Sequence, residues 1–168
     1  MRSVVSLGLL LGLVLLAGCG PASGTGQVTI RLAADIRDPG RLEALEITVE
    51  TVGVHRAGRP IETDWITWKP EQEHVDLAAL APDGTIHVGA GDVPAGRYDR
   101  VRVVVEAGRA RTAGGKLVPL TLTVEPIAVP FELKNGDQVE ITIELIALAR
   151  PDGGYELFTK SATIVSDQ

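Results

Sequence analysis

The stretch Val139-Glu140-Ile141-Thr142-Ile143-Glu144-Leu145 decides the fold class, because apolar and polar residues alternate along it without a break. A β-strand points successive side chains to opposite faces, so this alternation predicts a strand with one buried face and one solvated face. An amphipathic helix would instead repeat its apolar residues at every third or fourth position. The stretch is therefore predicted to be a strand.

The same alternation recurs along the rest of the chain. Glycine, proline and aspartate turns separate the runs, including Gly114-Gly115 and Pro151-Asp152-Gly153-Gly154. The other alternating runs are 27–32, 45–49, 100–106, 118–124 and 155–164. Strands buried on both faces of a parallel sheet would be continuously apolar. The pattern thus predicts an all-β fold, an antiparallel β-sandwich of about seven to nine strands, with a small closed barrel as the alternative.

The N-terminal segment has the features of an export signal. Arg2 precedes an apolar run from Val4 to Leu16, and Leu16-Ala17-Gly18-Cys19 closes the segment. This order is typical of a bacterial lipoprotein signal peptide, which is cut before a cysteine that then carries lipid. The apolar run is shorter than the roughly 20 residues that a membrane-spanning helix needs.

These features divide the chain into three parts. We predict a lipoprotein signal peptide at 1–18, a lipid-anchored flexible linker at 19–26 and the β-sandwich domain at 27–168, because residues 20–26 have linker composition. The predicted location is the cell envelope, with the domain lipid-anchored to the membrane through Cys19 and facing outside the cytoplasm.

Composition limits the partners. The chain has 16 Lys and Arg residues against 22 Asp and Glu residues, a net charge of −6. Such an acidic chain repels nucleic acid, so we expect no nucleic-acid partner. With only one cysteine, the chain cannot form an internal disulfide.

Several segments resemble one family of bacterial lipoprotein domains. Residues 91–103, GDVPAGRYDRVRV, resemble a Pro-Ala-Gly-x-Tyr turn of that family that leads into a strand. Three more segments fit its order, namely 45–55, 65–67 and 75–80. The family is the domain of unknown function 4382, and the resemblance covers about residues 27–146. It implies no catalytic residues, and because the same turn occurs in transthyretin-like sandwiches, it implies a transthyretin- or Ig-like fold.

Residues able to carry catalysis are sparse. After Cys19 the serines are Ser23, Ser161 and Ser166, and none lies in a G-x-S-x-G motif. Gly89-Ala90-Gly91 lacks the third glycine of a phosphate-binding loop. We therefore predict that the protein is not an enzyme and uses no cofactor.

The three histidines are the candidates for metal chemistry. His55, His74 and His87 are too widely spaced for a zinc motif, although sandwich loops could bring His74 and His87 together with Asp76. We predict no metal site and keep these three residues as the candidates for one. The alternative function is a metal-dependent hydrolase or metal carrier that uses all three histidines.

Two tryptophans are candidates for ligand contact. Trp65 and Trp68 lie three residues apart, so in one strand they should point to opposite faces. An exposed Trp68 beside Thr67 and Lys69 would suit the stacking of a sugar ring, whereas packing beneath the loop at Pro70 is the structural alternative.

An arginine-rich segment is the second candidate. The segment contains five arginines on one predicted hairpin, namely Arg97, Arg100, Arg102, Arg109 and Arg111. They could pair with Glu46 and Glu50, or they could form a patch that binds an anionic polymer or lipid headgroups, and Arg100 and Arg102 should share one strand face. We therefore predict a non-enzymatic, membrane-proximal binding or scaffolding module whose partner is a protein or a glycan.

Overall fold

The computed structural model describes residues 24–37 and 41–165. This part of the chain forms eleven strands and one 3-10 turn, Leu77–Ala79. The strands are β1 (Thr25–Ile36), β2 (Leu42–Arg56), β3 (Trp65–Trp68), β4 (His74–Asp76), β5 (Thr85–Pro94), β6 (Gly96–Thr112), β7 (Leu117–Val118), β8 (Leu120–Thr123), β9 (Ile127–Leu133), β10 (Gln138–Ala149) and β11 (Tyr155–Val165). In the described residues, no helix is long and apolar enough to cross a membrane.

The strands form two sheets. The first sheet has the order β5-β1-β10-β11-β8. The second has the order β3-β2-β6-β7, and in addition β4 pairs with β2 and β9 pairs with β6. The predicted all-β sandwich is confirmed. The strands outnumber the predicted seven to nine because β3, β4, β7 and β8 have only two to four residues each, too few to show an alternation.

Strand pairing is not antiparallel throughout. β1 pairs with β10 in parallel, with Ile30 beside Ile141 and Leu32 beside Ile143, and β11 pairs with β8 in parallel. The first sheet is therefore mixed. Alternation shows which side chains face the core, but it carries no information on the direction of the neighbouring strand.

The core lies between the sheets and consists of the inward residues of each alternating run. Ile30, Leu45, Val101, Leu145 and Leu157 each expose 0% of their surface. Burying a side chain of this size contributes about 1.5–3 kcal/mol. Apolar burial of these residues is therefore the main source of stability for the sandwich.

The first strand begins two residues before the predicted boundary at 27. β1 starts at Thr25, and Gly26 pairs with Val93 of β5. A side chain on Gly26 would lie 2.7 Å from the carbonyl oxygen of Asp137. Gly26 thus lies within the sheet at a position that only glycine fits, although it belongs to a segment with linker composition. The predicted signal peptide and Cys19 lie outside the described residues.

The described chain enters the sandwich at one end, which we call the N-terminal pole. The carbonyl of Gly24 accepts a hydrogen bond from Ala95 N, and that of Thr25 from Gly136 N. Ala57 N bonds to the carbonyl of Arg97 at the same end. The N-terminal pole is thus formed by the turn at 94–97 and the loops at 57–64 and 134–137.

Candidate binding surface

The outer face of the second sheet carries a group of polar and aromatic side chains. Val54 and Val101 are fully buried, so their neighbours His55, Arg100 and Arg102 face outward. In the register His55 lies between Trp65 and Arg100, and Gly53 lies between Thr67 and Arg102. We call His55, Trp65, Asp99, Arg100 and Arg102 the outer-face cluster.

Arg102 lies over the ring of Trp65. Its guanidinium carbon is 4.3 Å from the ring centroid, which is a cation–π contact. Gly53 on β2 lies between Arg102 on β6 and Thr67 on β3. Because Gly53 has no side chain, Arg102 can extend across β2 to reach β3. The indole is itself held in place, because Trp65 Nε1 donates a hydrogen bond of 2.7 Å to the carbonyl of Ile61.

The half-buried guanidinium of Arg102 lacks a full set of acceptors. Its Nε is buried and has no hydrogen-bond partner, and burial lowers the pKa of the group. Buried donors are nearly always paired in folded proteins. An unpaired guanidinium nitrogen is therefore unusual.

The arginines of β6 divide into two groups. Arg109 and Arg111 both lie near Glu46, at 2.9 Å and 3.8 Å, so the predicted pairing with Glu46 is confirmed for them. Arg100 and Arg102 have no ion pair with any described residue. Their positive charges therefore have no counter-ion among the described residues, and they lie on the shared face that the sequence predicted.

His55 is buried beneath the surface of the cluster and exposes 1% of its area. Its Nδ1 lies 2.8 Å from Asp99 Oδ1 and its Nε2 lies 2.9 Å from the carbonyl of Pro60. Since a carboxylate and a carbonyl only accept, both ring nitrogens can donate only in the imidazolium form. Burial, the largest single effect, lowers the pKa of His55, but the bonds to Asp99 and Pro60 and the charges of Asp99 and Asp64 together raise it.

A bulge in β6 places Asp99 beside His55. The pairing of β6 with β9 shifts between Tyr98 and Arg100, and its pairing with β2 shifts between His55 and Arg56, which leaves Asp99 as the extra residue. Sequence reasoning missed this carboxylate. The sequence does carry a signal, because the apolar residues Tyr98 and Val101 lie three positions apart and so break the two-residue period; the structure buries both.

Trp68 is not an exposed platform. As predicted, Trp65 and Trp68 point to opposite faces, but Trp68 is the one that packs against the core. A side chain on Gly91 would lie 2.5 Å from the ring of Trp68, so the indole rests directly on the backbone of β5. The packing alternative therefore describes Trp68, and the tryptophan of the outer face is Trp65.

The structure does not bring the metal-site candidates together. His74 lies 3.3 Å from the hydroxyl of Thr48, while His87, in the other sheet, lies 3.2 Å from Glu71. The carboxylate of Asp76 accepts hydrogen bonds from two backbone amides. Nowhere in residues 24–37 and 41–165 do three or more His, Cys, Asp or Glu side chains form a group able to hold a metal.

A groove of about 790 Å³ lies between the loop at 77–84 and the outer face of the first sheet. Lys160 lies in it and binds Asp35 at 3.0 Å and Glu144 at 2.9 Å, and the hydroxyl of Ser161 also donates to Glu144. The bond from Lys160 is the largest cause of the lowered pKa of Glu144. These charges satisfy one another, whereas those of Arg100 and Arg102 do not.

Comparison with known proteins defines the family. The model of the family described as "Domain of unknown function (DUF4382)" matches residues 25–157. The chain belongs to the DUF4382 family. The resemblance found in the sequence is thus confirmed, and the match extends beyond residue 146 to include the start of β11.

Other comparisons add little to the description of this DUF4382 domain. No curated protein matches the chain. The solved structure titled "NMR structure of the protein from Eubacterium rectale" is 14% identical and aligns with 86% of this chain and 95% of its own. Its TM-score is 0.23, so the likeness carries no argument about fold or function.

Proposed function

We propose that this DUF4382 protein is a lipid-anchored, non-enzymatic binding or scaffolding module of the cell envelope, and that the outer-face cluster is its contact surface. The observation that carries the proposal is the pair Arg100 and Arg102. Their charges have no described counter-ion, in contrast to those of Arg109 and Arg111, and Arg102 lies over the ring of Trp65. Surface arginines next to aromatic residues are enriched where proteins bind their partners.

The segment Leu16-Ala17-Gly18-Cys19 and the early start of β1 support a membrane-proximal location. Only six residue steps separate Cys19 from Thr25, a span of at most about 22 Å for a fully extended chain. Arg100 lies four residues after the start of β6 at the N-terminal pole, or about 14 Å along the strand. A lipid on Cys19 would therefore hold the outer-face cluster within a few tens of ångströms of the membrane surface.

The chemistry of the described side chains supports a binding role over catalysis. Both ring nitrogens of His55 are already engaged, so this residue has no free position to act as a general base. The hydroxyl of Ser161 bonds to Glu144, whose lowered pKa makes it a weak base. The metal-dependent alternative has less support because the structure keeps His55, His74 and His87 on separate partners.

Metabolic labelling tests the lipid anchor. Cells expressing the protein are supplied with radiolabelled palmitate, and the label on the immunoprecipitated chain is measured. We expect label on the natural chain and on the control variant Ser23→Ala, and none on Cys19→Ala. Label that persists on Cys19→Ala would contradict lipidation at that sulfur.

Site-specific cross-linking tests the contact surface. A photoreactive amino acid replaces Thr67, which is exposed beside Gly53 on the outer face of the second sheet. The control replaces Thr121, which is exposed on the first sheet. On intact cells we expect adducts from position 67 that disappear with Arg102→Ala, and few from position 121. Equal adducts from both positions, or none from either, would refute the outer-face cluster as the contact surface.

A further inference from the structure

We infer that the outer-face cluster binds an acidic polysaccharide, with its carboxylate groups held by Arg100 and Arg102. This inference rests on the proposed binding function and specifies the ligand of that surface. It starts from the local charge, because a chain with a net charge of −6 here presents two arginines without a described counter-ion. Asp99, the carboxylate within the cluster, is already bonded to His55.

The geometry of Arg102 suits a carboxylate. The ring of Trp65 supports the guanidinium from below at 4.3 Å, so the planar fork is held before a ligand arrives and loses little rotamer freedom on binding. Its Nε lacks an acceptor. A carboxylate accepts two parallel hydrogen bonds from such a fork, and no carboxylate among the described residues forms an ion pair with Arg102.

The spacing of the arginines suits a polymer. Arg100 and Arg102 are alternate residues of one strand, so their Cα atoms lie about 7 Å apart along the same face. Carboxylates on neighbouring sugar units of a chain could therefore contact both arginines at once. Thr67 lies exposed in the same row as Arg102, which leaves a polar sheet surface along which the polymer can continue.

A glycan fits this surface better than the membrane itself. Tryptophans that bind a bilayer place their rings among the lipid headgroups. The ring of Trp65 is instead covered by Arg102 and packs 5.1 Å from the ring of His55. It also cannot offer an open face for sugar stacking, so recognition depends on charge and hydrogen bonds.

Calorimetric titration tests the inference with a matched pair of ligands. The full-length protein in phosphatidylcholine nanodiscs is titrated with a galacturonate oligomer and with the same oligomer fully methyl-esterified, which replaces each charged carboxylate by a neutral methyl ester. We expect the acidic oligomer to bind and the ester to bind at least about tenfold more weakly, since charge-assisted hydrogen bonds contribute about 1.5–3 kcal/mol. Raising the salt concentration should weaken the binding of the acidic oligomer.

Variants of β6 locate the site. Arg102→Ala and Arg100→Ala should each weaken binding of the acidic oligomer about tenfold or more. Arg109→Ala removes the same charge from the same face of the same strand, but from an arginine paired with Glu46, so its affinity should stay within about twofold. Arg102→Lys keeps the charge without the fork and should also bind more weakly, which serves as the test if Arg102→Ala fails to fold.

Each other outcome overturns the inference in a different way. Equal losses for Arg109→Ala and Arg102→Ala would indicate non-specific attraction, and equal affinity for the two oligomers would remove the requirement for charge. Lack of acidic-oligomer binding, together with quenching of tryptophan fluorescence by brominated phosphatidylglycerol that depends on Arg102, would replace the glycan with the membrane surface. With no binding in any arm the glycan inference fails, while cross-linking from position 67 still decides whether the surface binds a partner.

Discussion

Replacing Gly91 by alanine tests how Trp68 is packed. A Cβ at this position would lie 2.5–2.8 Å from three atoms of the indole, whereas ordinary contacts lie at 3.4–4 Å. The indole is rigid, so the whole ring must shift by close to 1 Å or the backbone of β5 must move. Overpacking of this kind costs about 1–3 kcal/mol. We expect the free energy of unfolding to fall by about 2 kcal/mol, which for a domain of this size lowers the Tm by about 4–8 °C.

The control for Gly91→Ala is Gly114→Ala, because a Cβ at Gly114 has no atom within 4 Å. Both substitutions remove similar backbone freedom from the unfolded chain, so the difference between them isolates the contact with Trp68. Thermal unfolding followed by near-UV circular dichroism measures both variants. Equal Tm values for the two would refute this packing and would reopen Trp68 as an exposed binding residue.

Two further predictions concern polar groups within the fold. The free energy of unfolding from urea titrations should fall as the pH rises above about 6.5, the pKa of a histidine in the unfolded chain. The pKa of His55 is raised in the folded state. The stabilisation from its imidazolium is therefore lost as the pH passes through that raised value. The charged groups that face His55 are Asp99, Asp64 and, in the register, Arg100. The variant His55→Gln should remove the fall in unfolding free energy above about pH 6.5. If the free energy of that variant falls as steeply as that of the natural protein, His55 is not charged in the folded state. The variant Tyr98→Phe keeps the ring stacked on Phe131 but loses the hydrogen bond to the carbonyl of Pro94. Its free energy of unfolding in the same titrations should therefore be lower by about 1 kcal/mol. An unchanged free energy would mean that this hydrogen bond does not stabilise the fold.

Much of the binding surface could be predicted from strand periodicity. Alternation places Arg100 and Arg102 on one face and puts Trp65 and Trp68 on opposite faces, and the structure confirms both. Periodicity did not show which tryptophan faces the core. In β3 each face carries one tryptophan, with Thr67 beside Trp65 and Ile66 beside Trp68, so four residues hold too little difference in polarity to choose between the faces.

The partners within the outer-face cluster could not be predicted from local pattern. His55 and Asp99 are 44 residues apart and meet only because a bulge in β6 adds one residue beside the end of β2. Arg102 reaches Trp65 across Gly53, which requires β3, β2 and β6 to lie in that order. Such contacts depend on the register between distant strands.

The sequence alone determined the all-β class and the inward and outward residues of the long strands, because side-chain alternation and turn residues act over a few positions. It also determined the family, through short motifs such as residues 91–103. Tertiary structure decided that β1 lies parallel to β10, that Trp68 is packed on Gly91 and that Arg109, but not Arg102, has a carboxylate partner. The physical reason is that strand order and register follow from burying the whole core at once, and no local stretch of sequence contains that information.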